Sequence, residues 1–317
     1  MNILIFGGTR FFGKRTLAKC LLAGHIVTYV SRRKLPKKDN LEGLIGEREQ
    51  LLDSLKGRLF DIVLDFSCYN EVVLHKTLCA IQTSHYVLIS SVWVTQFLGN
   101  ARSFSDNEKQ YVILKHKAET MLEQMARTLD SATVLRFPII LGRDDHTGRL
   151  DYLASRIYRR KPITICKQSQ KKLMTVCVED ATNLLVKLAY QKDSLRQFRS
   201  FDCVAEIVEY DAFLERIASN LQVNLRRIYG SFEEIQRAFP SFFEVDPFFR
   251  ETETLFDRDQ AFDLFSVPVT RAEDWIRDSL KCYYPGIGIL RTKYRQYPWM
   301  QGDFLESEKK WNATHGW

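Results

Sequence analysis

The chain has 317 residues, 45% of them hydrophobic and 27% charged, which is enough apolar material for a large core and the composition of a globular protein. No apolar run reaches the ~18 residues of a membrane span, and no basic segment followed by a long apolar one opens the chain, so neither a membrane protein nor a secretory leader is expected. The formal net charge of +7 is spread along the chain, which fits a solvated basic surface better than a nucleic-acid footprint with its dense Lys/Arg clusters. The first predicted element is a short apolar strand, Asn2–Phe6. It runs into Gly7-Gly8-Thr9-Arg10-Phe11-Phe12-Gly13 and then a helix with Phe12, Leu17, Ala18, Leu21 and Leu22 at helical spacing.

The alternation continues. Ile26–Val30 is a β-branched strand, a short strand follows near Gly43–Ile45, then a helix through Leu51–Leu55 and a strand over Asp61–Phe66. A helix over 71–82 precedes the strand His85–Ser90, and a long helix over 109–128 leads to the strand Ala132–Phe137. Short apolar strands alternating with helices predict a parallel sheet covered on both faces, and right-handed crossovers make it doubly wound. The second half is less regular: a strand over Leu173–Val178, then helices over Glu179–Tyr190, Tyr210–Leu221 and Arg271–Leu280.

The expected fold class is α/β, a Rossmann-like doubly wound parallel sheet with a smaller C-terminal α+β substrate lobe. Residues 1–142, with 173–206 returning to the core, form the dinucleotide domain. Residues 143–172 and 207–282 form the lobe, and 283–317 a tail with three of the five tryptophans. The aromatic run Phe239–Phe249 reads first as a loop packed on the lobe, with a lid or subunit contact as the other reading. A homodimer is compatible with the sequence but not specified by it.

Seven cysteines (20, 68, 79, 166, 177, 203 and 282) are odd in number and form no C-x-x-C pair. They read as small buried residues of a reducing cytoplasm, with no disulfide or metal site expected.

Three constellations carry chemistry. The first is the Gly7–Gly13 loop. Gly7 lets the chain turn, the first N–H groups of the new helix lack intrahelical partners, and Gly13 lets helix and sheet approach beside a pyrophosphate. An acid that grips the ribose 2′-OH is expected about 20 residues further on. Here Ser31-Arg32-Arg33 stands in that place, and two guanidinium groups suit a 2′-phosphate, so NADP is favoured with NAD as the alternative. The second is Tyr111 and Lys115, i and i+4 on the long helix, so that phenol and ammonium share a face. None of the other twelve tyrosines has Lys at that spacing. A cation lowers the phenol pKa from near ~10 and fits it for proton transfer. The third is Ser90-Ser91 at a strand end, with Ser91 preferred as catalytic partner; the competing reading is a serine satisfying its own turn.

These residues resemble the extended short-chain dehydrogenase/reductases of the NAD-dependent epimerase/dehydratase type. The resemblance is carried by the Gly7–Gly13 loop, Asp61–Tyr69, Ser90-Ser91, Tyr111/Lys115, Leu135-Arg136-Phe137-Pro138 with Gly142, Val178-Glu179-Asp180-Ala181 and Ala261…Pro268. It covers roughly residues 1–282 and implies bound NAD(P) and a Ser91-Tyr111-Lys115 catalytic set. It also implies cofactor contacts from Gly7, Gly8, Thr9, Arg10, Phe11, Phe12, Gly13, Arg32, Arg33, Phe66, Ser67, Lys115 and Phe137. Ser90 and Arg149 are the expected substrate contacts.

Departures narrow the assignment. Arg10 stands where the middle glycine usually lies, as in a less characterised branch that includes stem-loop RNA-binding relatives. Val92-Trp93 replaces the acid pair of the sugar-nucleotide dehydratases, Pro138-Ile139 stands in place of a common Asn, and Thr95 in place of a common Tyr. The function expected is an NAD(P)-dependent oxidoreductase or epimerase of a small carbonyl or sugar-like alcohol. The alternative is a catalytically reduced dinucleotide-sensing or RNA-binding protein on the same fold.

Overall fold

A computed structural model describes residues 1–99, 106–145, 147–167, 172–190, 197–238, 261–281 and 302–315. The aromatic run 239–249, His146, Cys282 and most of the 283–317 tail lie outside the described residues. Contact density divides the chain into two compact units.

The first unit takes in Met1–Ile140, Val178–Ala205 and Phe256–Val269. Its strands are β1 (Asn2–Phe6), β2 (Ile26–Ser31), β3 (Leu41–Ile45), β4 (Leu59–Phe60), β5 (Ile62–Asp65), β6 (Gln82–Thr83), β7 (His85–Ser91) and β8 (Ser131–Phe137). The short β9 (Ile139–Leu141) ends the run. Helices α1 (Phe11–Leu22), α2 (Arg48–Leu51), α3 (Glu71–Ala80), α4 (Trp93–Gly99) and α5 (Asp106–Met125) lie between them. Six of these strands and β12 (Gln197–Asp202) build a seven-stranded sheet in the order β12-β8-β7-β5-β1-β2-β3, every pair parallel, while β4 pairs with β6 apart from it. Counted along the chain that order is 3-2-1-4-5-6-7, so the winding reverses between β1 and β5. In open α/β sheets the crevice at the carboxyl ends of two such strands is where ligands bind.

Sequence explains the central strands. Ile3–Phe6, Ile62–Leu64 and Tyr86–Leu88 are wholly inaccessible to solvent, as strands covered on both faces must be. One side of the sheet buries Leu4, Phe6, Val63, Tyr86, Leu88 and Val134 against Leu74, Leu78, Ala118 and Leu122 of α3 and α5. The helix α7 (Val178–Tyr190) packs on α1, where Glu179 pairs with both Arg15 and Lys19 (Lys19 Nζ–Oε2 2.9 Å), and Lys19 also donates to Asn183 at 2.7 Å.

The second unit takes in Leu141–Cys177, Glu206–Leu255 and Thr270–Trp317. It contains α6 (Arg149–Tyr158) and α8 (Tyr210–Leu221), which pack together, and helix Ala272–Leu280 on α8. A parallel pair joins β10 (Ile163–Cys166) to β14 (Arg227–Gly230), and an antiparallel pair joins β11 (Lys172–Cys177) to β13 (Glu206–Glu209). Two segments fall differently from the sequence reading. β11 was grouped with the first unit but lies in the second, because Leu173 and Met174 register with Val208 and Ile207. Helix Ala261–Leu264 was grouped with the lobe but lies in the first, where Phe265 meets Phe201 edge-on at 5.8 Å. The tail helix Gly302–Thr314 belongs to the second unit; buried Trp311 packs where a Cβ on Gly230 would come within 2.7 Å of its ring.

Of the six described cysteines five are buried, Cys79 is exposed, and none is disulfide-bonded. No helix among the described residues is long and apolar enough to cross a membrane. Phe60 is inaccessible and central to the sheet–helix core. Phe60→Ala is expected to lower the unfolding free energy by about 3–5 kcal/mol through lost burial and a cavity, as read by denaturant titration.

Candidate functional site

The glycine loop is as tight as its sequence demands. Gly7 closes β1 at φ +85°, where an added Cβ would sit 3.0 Å from the Ser67 Cβ. At Gly8 it would come 2.7 Å from the Ile5 Cγ2, and at Gly13 3.0 Å from the Gly7 carbonyl oxygen and 3.2 Å from the Gly8 Cα. Helix and loop are therefore in backbone contact at Gly13, while Gly8 packs on the side chains of Ile5 and Leu17; the first turn of a helix after such a loop is where an anion binds. Arg10 caps α1 with extended backbone and no side-chain cap bond, and its side chain is exposed. Phe11 follows at φ +33°. Thr9 Oγ1 and Ser31 Oγ lie 2.8 Å apart, and Ser31 Oγ also accepts from the Arg33 N–H at 3.3 Å. The ends of β1 and β2 are thus tied, with Arg32 and Arg33 exposed beside them. These donors and this cradle fit a dinucleotide.

Three expected contact residues form one aromatic cluster. Phe12 meets Phe66 at 5.1 Å and Phe137 at 5.0 Å, both edge-on, a geometry that favours the ring quadrupoles. Phe12 and Phe137 are buried, so they support the loop from within.

The sequence reading missed the group beneath this loop. Asp65, wholly inaccessible at the end of β5, accepts from Arg48 Nη1 at 2.7 Å, from Arg48 Nη2, from the Tyr86 hydroxyl at 2.5 Å and from the Ser67 N–H at 3.0 Å. Arg48 also donates to Ser67 Oγ at 2.7 Å and stacks 4.1 Å over the Phe6 ring. Burial alone would push the Asp65 carboxyl up; Arg48 and the hydrogen bonds overcome it and hold the group below the ordinary carboxylate range. Burial and the Asp65 charge hold the Tyr86 phenol well above its ordinary value. The signal available in sequence was a carboxylate closing an otherwise apolar strand, which must find a buried partner.

Helix α5 carries the next layer. Lys115 is buried, and its ammonium donates to the Cys68 carbonyl at 2.7 Å and the Ile89 carbonyl at 2.9 Å, so it bridges the ends of β5 and β7. Its Nζ stands 5.0 Å from the centre of the Tyr69 ring. Burial lowers the Lys115 pKa, against the attraction of Asp65 and Glu119. Burial pushes the Cys68 thiol up to about 12, so it stays neutral. One turn before Lys115, Tyr111 is half-buried, its ring 6.2 Å from Trp93 and 6.5 Å from Tyr69.

The two strand-end serines part company, because successive residues of a strand face opposite sides. Ser91 Oγ accepts from the Trp93 N–H at 3.3 Å and is partly exposed. Trp93 therefore touches both Ser91 and Tyr111. Ser90, expected at the substrate, is buried and donates instead to Glu119. Glu119 also accepts from Arg136 Nε at 2.9 Å and Nη2 at 2.7 Å, and Arg136 reaches Thr95, which donates to Asp202 at 2.8 Å. Ser90 thus links β7, α5 and β8 through Glu119 and Arg136. Arg149 opens α6 in the second unit.

No family model and no curated protein sequence matches this chain. Solved structures match closely in fold. MoeE5 in complex with UDP-glucuronic acid and NAD shares 18% identity at a TM-score of 0.65 over 87% of this chain and 96% of that one. UDP-glucuronic acid 4-epimerase from Bacillus cereus, in complex with UDP-glucuronic acid and NAD, gives 14%, 0.66, 90% and 100% in the same terms. UDP-N-acetylglucosamine 4-epimerase from Methanobrevibacter ruminantium M1, in complex with UDP-N-acetylmuramic acid, gives 15%, 0.68, 89% and 97%. The chain shares the Rossmann-like α/β fold of these proteins.

Two outcomes are expected from this geometry. Gly8→Ala forces a Cβ against Ile5 and is expected to weaken dinucleotide binding at least tenfold in calorimetry. Arg48→Met leaves Asp65 buried without its cation and is expected to cost about 3–5 kcal/mol. Because a depressed carboxylate contributes stability above its unfolded pKa and loses it as pH falls through the folded one, raising that folded pKa moves acid unfolding of Arg48→Met to higher pH. Circular dichroism across an acid titration reads the shift.

Proposed function

We propose that this protein is an NAD(P)-dependent oxidoreductase or epimerase of the extended short-chain dehydrogenase/reductase type, acting on a small carbonyl or sugar-like alcohol. One observation carries the reading: Tyr111 and a fully buried Lys115 stand one turn apart on α5, with Lys115 clamped between the main chains that end β5 and β7. A lysine buried on two carbonyls and an aromatic face has no surface role, and it supplies a positive charge beside a phenol. The UDP-sugar and NAD complexes of the fold neighbours support the same class.

In this reading Gly7, Gly8 and Gly13 let the pyrophosphate approach the first turn of α1, with Thr9, Arg10, Phe11, Phe12, Phe66, Ser67 and Phe137 shaping the cradle. Arg32 and Arg33 receive a 2′-phosphate, which makes NADP the preferred cofactor and NAD the alternative. The nicotinamide, when bound, supplies or accepts the hydride. The Tyr111 hydroxyl gives or takes the proton at the reacting oxygen, Lys115 keeps that phenol acidic enough to do so near neutral pH, and Ser91 orients the oxygen towards it. Arg149 is the proposed substrate contact from the second unit.

Tyr111→Phe is expected to abolish turnover while the cofactor Kd stays within about twofold, since the hydroxyl acts only on the reacting oxygen. Replacing Arg32 and Arg33 by Ala is expected to weaken NADPH by about ten- to hundredfold, the worth of charged hydrogen bonds to a phosphate, and to leave NADH unchanged. Calorimetry with both cofactors checks this. Absence of saturable binding by either would overturn the proposed class.

A further inference from the structure

The candidate reacting hydroxyl stands among aromatic rings. Trp93 meets the Tyr111 ring edge-on at 6.2 Å with an interplanar angle of 84°, and Tyr69 meets it at 6.5 Å with an angle of 54°. Phe97, one turn after Trp93 on α4, packs with Trp93 and Tyr111 against the buried Val94 and Val112. Tyr69 remains 54% exposed even though its face takes the Lys115 ammonium, and Leu98 beside Phe97 is 59% exposed. Trp93 holds this position through its backbone as well, since its N–H is bonded to Ser91 Oγ. Trp93 is thus tied by its backbone to Ser91 and by its ring to Tyr111, the two side chains proposed to hold the reacting oxygen.

From this arrangement we propose that the substrate carries its reacting oxygen on a planar, apolar ring, an aryl or fused-ring carbonyl or alcohol, and that Trp93 with Tyr69 and Phe97 forms the subsite that selects it. The inference rests on the dinucleotide-enzyme reading of the same site. Its physical basis is the mismatch between ring surfaces and hydroxyl groups. Edge-to-face and offset contacts with aromatic rings favour a planar ring beyond its burial. A sugar hydroxyl desolvated against the same rings without a hydrogen-bond partner is penalised. A ring bearing one oxygen presents that oxygen to Ser91 and Tyr111 and nothing else that needs a partner. A pyranose presents several.

The test uses the full chain with 1-naphthol and UDP-glucose as probes, titrated by calorimetry with and without NADPH. We expect 1-naphthol to bind at least tenfold more tightly than UDP-glucose. Trp93→Ala is expected to weaken 1-naphthol at least tenfold, and Trp93→Phe to recover most of the loss, while the NADPH Kd of both variants stays near that of the parent. Tighter binding of UDP-glucose, no binding of 1-naphthol, or an unchanged Kd in Trp93→Ala each overturns the proposal. NADPH binding is measured in the same series, so loss of the cofactor reading shows separately from loss of the ring subsite.

Discussion

The candidate site hangs on the pairing of Asp65 with Arg48. A carboxylate at the end of a fully buried strand cannot stay charged without partners, and Asp65 takes four hydrogen bonds from three residues. Each of the three belongs to a different piece of the site. Arg48 comes from the short helix after β3, Tyr86 from the adjacent strand, and Ser67 from the turn that faces Gly7. Cys68, next in the chain, offers its carbonyl to Lys115. A single buried charge thereby fixes the floor of the dinucleotide loop and one of the two anchors of the proposed catalytic lysine.

A second network performs the same task one turn further along α5. Glu119, two turns beyond Tyr111, takes the hydroxyl of Ser90 and the guanidinium of Arg136, which continues to Thr95 and Asp202. Burial raises the Asp202 pKa despite these partners. Helix α5 is therefore held at Lys115 by main-chain carbonyls and at Glu119 by charge, and α4 is tied to the same group through Thr95. The proposed reacting hydroxyl and the Trp93 ring are kept in register by elements that lie outside the reacting zone. Burying these groups without partners would be costly; placed in networks, they define one geometry.

The parts of the site legible in sequence were those whose physics is local. The Gly7–Gly13 loop announces itself because close packing forbids Cβ atoms at fixed positions: against the Ile5 side chain at Gly8 (2.7 Å) and against the loop backbone at Gly13 (3.0 Å). Tyr111 and Lys115 were legible because helical periodicity puts i and i+4 on one face. Two adjacent serines look alike in a sequence, whereas the pleat sends Ser90 inward to Glu119 and leaves Ser91 at the strand end. Arg48 was not visible at all: it stands 17 positions before Asp65, and nothing in the sequence between marks the two as partners.

The sequence by itself determined the α/β class, the strand–turn–helix that suits a dinucleotide, and the spacing of the phenol and ammonium, since each depends on short-range periodicity and on backbone sterics. Only the tertiary structure decided which polar side chains are buried and paired, that β11 pairs in the second unit, and that Trp93, Tyr69 and Phe97 gather round Tyr111. Those outcomes depend on pairing and packing between segments far apart in the chain, which local pattern does not encode.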